Sequence, residues 1–274
     1  MTPRLGLTLP SFRSDPEPVL AVARAADDAG LDGIFAFDHL FREGWPHQEL
    51  RPALELLTTL AAVAVETSRV IVGSLVARTS MRPPASLVAA LDTLARVAPR
   101  RLVAGLGAGD QLNAAEDEAF GVVVPDQLAR LAETLTRACG RGYPVWVGGN
   151  SPAIRRLSAT QADGWNQWGG DPGRFASRVT EVRKLAESAG RDPDAVTCSW
   201  AGLVLVGATE AEAKVKLERF GQRPDVVWGG PERVAEQLSA YAAAGAGWLV
   251  VGPVDSWNPE NAAVLGQLVR PLLG

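Results

Sequence analysis

The feature that most limits what this chain can fold into is an alternation of short β-rich apolar runs with longer helical patterns. Strands are predicted at 5–9, 33–37, 70–76, 102–106, 145–147, 164–168, 196–206 and 248–251, and each is followed by at least one helix. The helices are predicted at 16–29, 53–66, 85–97, 126–138, 152–162, 174–189, 210–220 with 231–244, and 259–272. Local chemistry marks their ends. Asp15-Pro16, Ser151-Pro152 and Asp171-Pro172 each pair an N-cap residue with proline at the first helical position. Gly30, Gly190 and Gly245 stand where a left-handed C-cap favours a residue without Cβ.

Strict β/α alternation calls for parallel strands joined by right-handed crossovers, and eight repeats close naturally into a (β/α)8 TIM barrel. A doubly wound open sheet is the competing arrangement. No Pro/Gly/Ser-rich linker divides the 274 residues, so residues 1–274 read as a single domain. In such a barrel the chemistry sits at the C-terminal ends of the strands.

Charge narrows the partners. The formal net charge is -4, with acidic and basic residues scattered through the chain. Nucleic acid and anionic membrane surfaces call for a basic patch, so a small-molecule substrate is the expected partner. Cys139 and Cys198 lie far apart without a zinc or disulfide spacing, and read as buried thiols; no metal site is expected. The first residues lack the apolar core of a signal peptide, and no run approaches a membrane span, so the expected location is the cytoplasm.

The strand ends carry the candidate chemistry. Asp38 and His39 follow the second strand, where an imidazole can exchange protons near neutral pH beside a carboxylate, or can be an ordinary loop residue. Arg78 and Arg82 follow the third and can bind an anionic group or simply be solvated. After the fourth comes GLGAGDQLN, in which Gly105, Gly107 and Gly109 alternate before Asp110 and Asn113. Glycines so placed let a planar group lie against bare backbone, though the pattern is not a dinucleotide fingerprint. After the fifth, Gly148, Gly149, Asn150 and Ser151 lead into a helix whose N-terminus is suited to phosphate, with Arg155 or Arg156 near; a plain N-cap is the alternative. Trp165, Asn166 and Trp168 belong to the sixth strand, and eight tryptophans in all fit either core or a pocket for a flat ring. The reaction class does not follow from these residues alone.

Taken in order, several segments resemble the bacterial luciferase-like monooxygenase family. They are AADDAGLDGIFAFDHL, LAAVAVETSRVIVGSLV, RPPASLVAALDTLARVAPRRLVAGLGAGD, EDEAFG, PVWVGGNSPAIRRLSATQADGWN and GGPERVAEQLSAYAAAGAGWLVVGP, and they cover nearly the whole chain. The pairing of DH with GLGAGDQLN is most similar to the coenzyme F420-dependent branch. The resemblance implies a (β/α)8 barrel, a homodimer, and a deazaflavin in the barrel mouth exchanging hydride with a small organic substrate. It implies that Asp38 contacts the ring, that His39 donates or accepts a proton, that Asp110 is a second acid/base group, and that Asn113 contacts the cofactor. The GGNSP turn, Gly148 to Ser151, would hold the cofactor phosphate. A non-proline cis peptide, here Leu75-Val76, would support the ring.

Two rival readings accompany this one. An FMN-dependent monooxygenase would take reduced flavin from a separate reductase and activate oxygen, and a barrel that only stores or senses a flavin would not turn over. A flavin or F420 reductase is the implied redox partner. The chain departs from the family in lacking a long excursion before the fifth strand, which leaves the pocket open or closed by GQRPDVVWGG before Pro231. It also shows no clear match for the cations that sugar-phosphate-oxidising members direct at their substrate.

Overall fold

A computed structural model of the protein describes residues 2–42, 51–110, 113–221 and 225–274. Eight parallel strands run in chain order: β1 (Arg4–Thr8), β2 (Gly33–Ala36), β3 (Ile71–Ser74), β4 (Leu102–Gly107), β5 (Val145–Gly148), β6 (Gly164–Trp168), β7 (Thr197–Val206) and β8 (Trp248–Pro253). Each pairs with the next, and β8 returns to β1 in the register Leu5↔Leu249, so the sheet closes. That closure excludes the open sheet.

Around the barrel run α1 (Glu17–Asp28), α2 (Leu56–Glu66), α3 (Pro84–Val97), α4 (Ala114–Ala119), α5 (Gln127–Ala138), α6 (Pro152–Gln161), α7 (Pro172–Ser188), α8 (Glu210–Phe220) and α9 (Pro231–Ala243). α5 shows how sequence sets a buried face: Leu131, Thr134, Leu135 and Ala138 recur at helical spacing and are buried, while Asp126 caps the start by accepting from the Ala129 N–H at 2.9 Å. Ser151 and Asp171 cap α6 and α7 in the same way. Gly190 follows α7 with φ +73°, a conformation that costs glycine nothing and a side chain about 1–2 kcal/mol.

The barrel interior is filled by an aromatic cluster. Phe35 stacks on Trp146 with centroids 5.8 Å apart, and Trp248 meets both edge-on at 5.6 Å. Glycines on the neighbouring strands, in register with the rings, make the room: a Cβ on Gly73 would lie 2.7 Å from the Phe35 ring, and one on Gly164 would lie 2.4 Å from Trp146. Large and small residues thus interdigitate in the barrel interior. Cys198 is buried, and burial pushes its thiol up to about 12; Cys139 is only half-buried, so the expectation of two buried thiols holds for one.

Three short pairings were too brief for periodicity to reveal. Phe41–Arg42 pairs antiparallel with Arg51–Pro52, Ala77–Arg78 runs beside the end of β4, and Val227–Gly229 beside the end of β7. The continuous helix expected at 259–272 is instead Glu260–Ala263 followed by a π turn, Val264–Val269, and a 3-10 turn, Arg270–Leu273. Pro271 has no N–H to continue the ladder, and Gly266 sits so close to Ala29 that a Cβ would lie 2.4 Å from its carbonyl oxygen. α5 ends at Ala138 and β5 begins at Val145, so the excursion is absent as the sequence indicates. Of the loop suggested as its substitute, residues 222–224 lie outside the described residues. Among the described residues no helix is long and apolar enough to cross a membrane, and no group of three His, Cys, Asp or Glu side chains is placed to hold a metal.

Asp27 fastens the turn into β3. Its carboxylate accepts from the N–H groups of Ser68, Arg69 and Val70 at 2.9, 2.9 and 2.8 Å and from the Ser68 hydroxyl at 3.0 Å. Burial alone would raise this carboxyl; the four donors outweigh it and hold it below the ordinary range. We expect Asp27→Ala to lose about 1–3 kcal/mol near neutral pH, because the change removes the acceptor these donors share and strands the buried Val70 N–H. A folded pKa below the unfolded ~3.9 contributes stability above that value and loses it as pH falls. Urea melts should therefore show the two proteins converging only below about pH 4; a gap independent of pH contradicts the assignment.

Candidate active site

β2 delivers Phe37, Asp38 and His39 to the mouth, and the two ionisable neighbours part there. Asp38 turns inward and is 3% exposed. Its oxygens accept from the Arg78 N–H at 2.8 Å and from the Arg82 guanidinium at 2.7 and 3.1 Å. Arg82 also pairs with Glu55, which caps α2 through the Thr58 N–H. Burial works against the Arg82 cation, yet the two carboxylates raise it above its ordinary value; Glu55, which burial would raise, is lowered by the Thr58 N–H and by Arg82. This network ties the ends of β2 and β3 to the start of α2. Beside the ring-contact role that the resemblance gives Asp38, the structure shows an anchoring one, with both of its oxygens engaged inside the protein.

His39 faces the other way, with its side chain 31% exposed. Its Nδ1 lies 2.6 Å from Oε1 of Glu116, and its ring lies 5.3 Å from that of Phe12. Glu116, on α4, is 4% exposed; its Oε2 accepts from the Leu40 N–H at 2.9 Å and from Arg78 Nη2 at 2.7 Å. Arg78 completes the group with Asp117 at 3.3 Å. Burial raises the Asp117 carboxyl; Arg78 opposes this, and the charges of Glu116 and Asp110 add to it. Arg78, expected to take an anionic ligand group, is 4% exposed and gives Nη1 and Nη2 to these two acids, while its buried Nε has no partner among the described residues. The sequence reading missed Glu116 as a functional residue. It stands inside the quoted EDEAFG segment, but 77 positions separate it from His39, and only the fold joins them.

The GLGAGDQLN stretch also changes meaning. A Cβ on Gly105 would lie 2.1 Å from the Ser74 carbonyl oxygen, and one on Gly107 2.4 Å from Val76 Cγ2; for Gly148 the distance to Val76 Cγ1 is 2.6 Å. The bare backbone of β4 and β5 is therefore filled by the chain after β3, and Gly107 seats Val76 rather than leaving an open slot. Val76 follows a cis peptide bond from Leu75, as the resemblance implies. Asp110 is exposed at the rim, and Asn113, 5% exposed, accepts from the Asp110 N–H at 3.1 Å. Gln111 and Leu112 lie outside the described residues. We expect Gly107→Ala to cost about 1–3 kcal/mol by overpacking and the added Val76→Ala to recover most of it. Additive losses in thermal melts contradict this seating.

At the end of β5, Asn150 and Ser151 are exposed at the start of α6, whose first-turn N–H groups have no intrahelical partners. Arg155 Nη1 donates to the Asn150 carbonyl at 2.6 Å and its Nε to Glu181 at 2.8 Å, so Arg155 braces the turn. Trp165 braces it too, donating from Nε1 to the Gly149 carbonyl at 2.9 Å. Its ring is fully buried against Phe175, with an interplanar angle of 10°, which corrects its placement in the ring pocket. Asn166 is likewise buried on Ser199, while Trp168 is 39% exposed and meets Phe37 edge-on at 5.5 Å. Among the described residues the mouth thus presents one imidazole, a helix start suited to phosphate, and apolar walls from Phe12, Phe37, Val76 and Trp168.

The family model described as luciferase-like monooxygenase matches residues 3–137 and 136–224. The chain belongs to the luciferase-like monooxygenase family. Relatives of this luciferase-like chain include an F420-dependent glucose-6-phosphate dehydrogenase of Nakamurella multipartita, 29% identical over 229 residues that span 71% of this chain and 66% of that protein. Another of the same name, from Beutenbergia cavernae, is 26% identical over 333 aligned positions, 98% of this chain and 96% of the relative. That alignment outruns the 274 residues here, so the relative holds segments this luciferase-like chain lacks. The barrel superposes with a TM-score of 0.82, at 16% identity and over 100% of both chains, on an F420-dependent secondary alcohol dehydrogenase solved with an F420-acetone adduct.

Proposed function

We propose that the chain is a coenzyme F420-dependent oxidoreductase acting on a small organic molecule, with His39 carrying the substrate's proton. The observation that carries this reading is the placement of His39: a titratable ring held at the strand-end mouth by a buried carboxylate, in a chain whose full-length relatives are named for F420-dependent dehydrogenation. When bound, F420 supplies two-electron hydride chemistry. The residues present fit such a group. Gly148, Gly149, Asn150 and Ser151 would hold its phosphate at the start of α6, and Leu75, Val76 and Asn113 would line its ring. His39 Nε2, on the ring edge away from Glu116, takes the hydroxyl proton of an alcohol or returns it in the reverse direction. Asp110 stands at the rim as a second proton carrier, while Phe12, Phe37 and Trp168 exclude water from the reacting end.

The substrate we favour is uncharged. Arg78, Arg82 and Arg155 are each engaged by carboxylates and Asp110 adds a negative charge at the rim, which is poor provision for a sugar phosphate. The whole chain acts as one domain, pairs as a homodimer, works in the cytoplasm, and relies on an F420 reductase to recycle its cofactor. The test is turnover: purified protein with oxidised F420 and a panel of uncharged alcohols should bleach the violet deazaflavin band, with glucose-6-phosphate slower. Bleaching by glucose-6-phosphate alone overturns the substrate class. Oxygen consumption with reduced FMN, and none with F420, gives the chain to the flavin monooxygenases.

A further inference from the structure

We infer that Glu116 is a positioning residue that fixes which nitrogen of His39 is free to work. The inference rests on His39 being the proton carrier. The carboxylate divides its labour: Oε1 lies 2.6 Å from His39 Nδ1, and Oε2 accepts both the Leu40 N–H and Arg78 Nη2 at 2.9 and 2.7 Å. Leu40 is the next residue in the chain, so one buried side chain clamps the imidazole and the backbone that bears it. A carboxylate can only accept, so the neutral ring must put its hydrogen on Nδ1, leaving the Nε2 lone pair directed away from α4. Among the described residues, His39 is met besides Glu116 by the Phe12 ring, which offers no competing acceptor; Asp38 beside it is taken up by Arg82.

The constraint is sharpened by what lies behind Glu116. Arg78 is a pure donor, 4% exposed and held on its other arm by Asp117, and Leu40 offers another donor. An amide in place of the carboxylate must therefore turn its oxygen toward Arg78 and Leu40. Its NH2 then faces Nδ1, which must become the acceptor. Glu116→Gln accordingly inverts the tautomer and blocks Nε2 with a hydrogen, leaving the fold in place. The corresponding carboxylate-to-amide change in serine proteases costs roughly 10⁴-fold in kcat with the geometry intact. Here His39 is more exposed, and we expect roughly 10²-fold or more, with substrate KM and F420 Kd within a few-fold.

Nitrogen NMR on protein labelled at histidine reads the tautomer directly. Only His39 and His47 contribute, and His39→Ala assigns the signals. At a pH where the ring is neutral, wild-type His39 should show a protonated Nδ1 and a bare Nε2; Glu116→Gln should exchange them, and Glu116→Asp should keep the wild-type pattern. A wild-type ring protonated on Nε2, or a Glu116→Gln ring with an unchanged pattern, overturns the inference. The wild-type measurement decides even if a variant fails to fold. Because it needs no cofactor, a correct tautomer in a protein that does not bind F420 would sink the functional reading while leaving the positioning role intact.

Discussion

His39→Ala should lower kcat by roughly a hundred- to ten-thousand-fold, the usual range for losing a general acid/base, while the F420 dissociation constant moves only a few-fold. The expectation follows from where the ring stands. It is a third exposed at the mouth, and its removal leaves Glu116 still held by Leu40 and Arg78, so the strand ends keep their geometry. Added imidazole should restore part of the rate, since the vacated space opens toward the mouth beside Phe12. Equal losses of cofactor affinity and turnover, without rescue, would mean that His39 binds the ring rather than moving a proton. Asp110→Asn is the companion measurement: it removes the charge of the exposed acid and keeps its backbone bond to Asn113, and a lower rate at unchanged F420 affinity is the result expected of a proton carrier.

Asp38→Ala should destabilise the protein by about 3–5 kcal/mol, as removal of one partner from a buried ion pair does. The change strands the Arg82 guanidinium, whose side chain is 16% exposed, and the Arg78 N–H beneath it. Glu55 is left to carry Arg82 alone from a half-exposed position. A melting temperature lower by roughly 10 °C is the corresponding readout, at a few degrees per kcal/mol for a chain of this size. Asn at the same position keeps an acceptor for the Arg78 N–H and should lose less. If instead Asp38→Ala melts normally and fails to bind F420, the ring-contact role implied by family resemblance stands and the anchoring role falls.

The contrast between these neighbours shows where sequence reasoning succeeds and where it stops. All eight barrel strands were legible because parallel strands buried on both faces read as apolar runs, and caps such as Ser151 and Asp171 marked the helices between them. The strand-end rule then pointed to the C-terminal rim, and His39 and the Gly148-to-Ser151 turn lie on it. What sequence could not supply was orientation. Asp38 and His39 are adjacent, yet one enters the protein and the other faces the mouth. The arginines that could have met an anion are consumed by acids at positions 38, 116 and 117, and the glycines of GLGAGDQLN make room for the protein's own Val76. Trp165 illustrates the same limit, since a strand's two faces alternate and a shift of one position separates core from rim. Glu116 is the instructive omission: it became visible only when α4 folded back over the end of β2.

A barrel mouth that is a deazaflavin site serving a proton carrier should reveal itself in a pair of binding titrations. Apoprotein titrated with F420 and, separately, with FMN, each followed by cofactor fluorescence, should show saturable binding of F420 at least ten times tighter than that of FMN. Saturable FMN binding with no response to F420 would contradict the account and place the chain with the flavin-dependent members of its family.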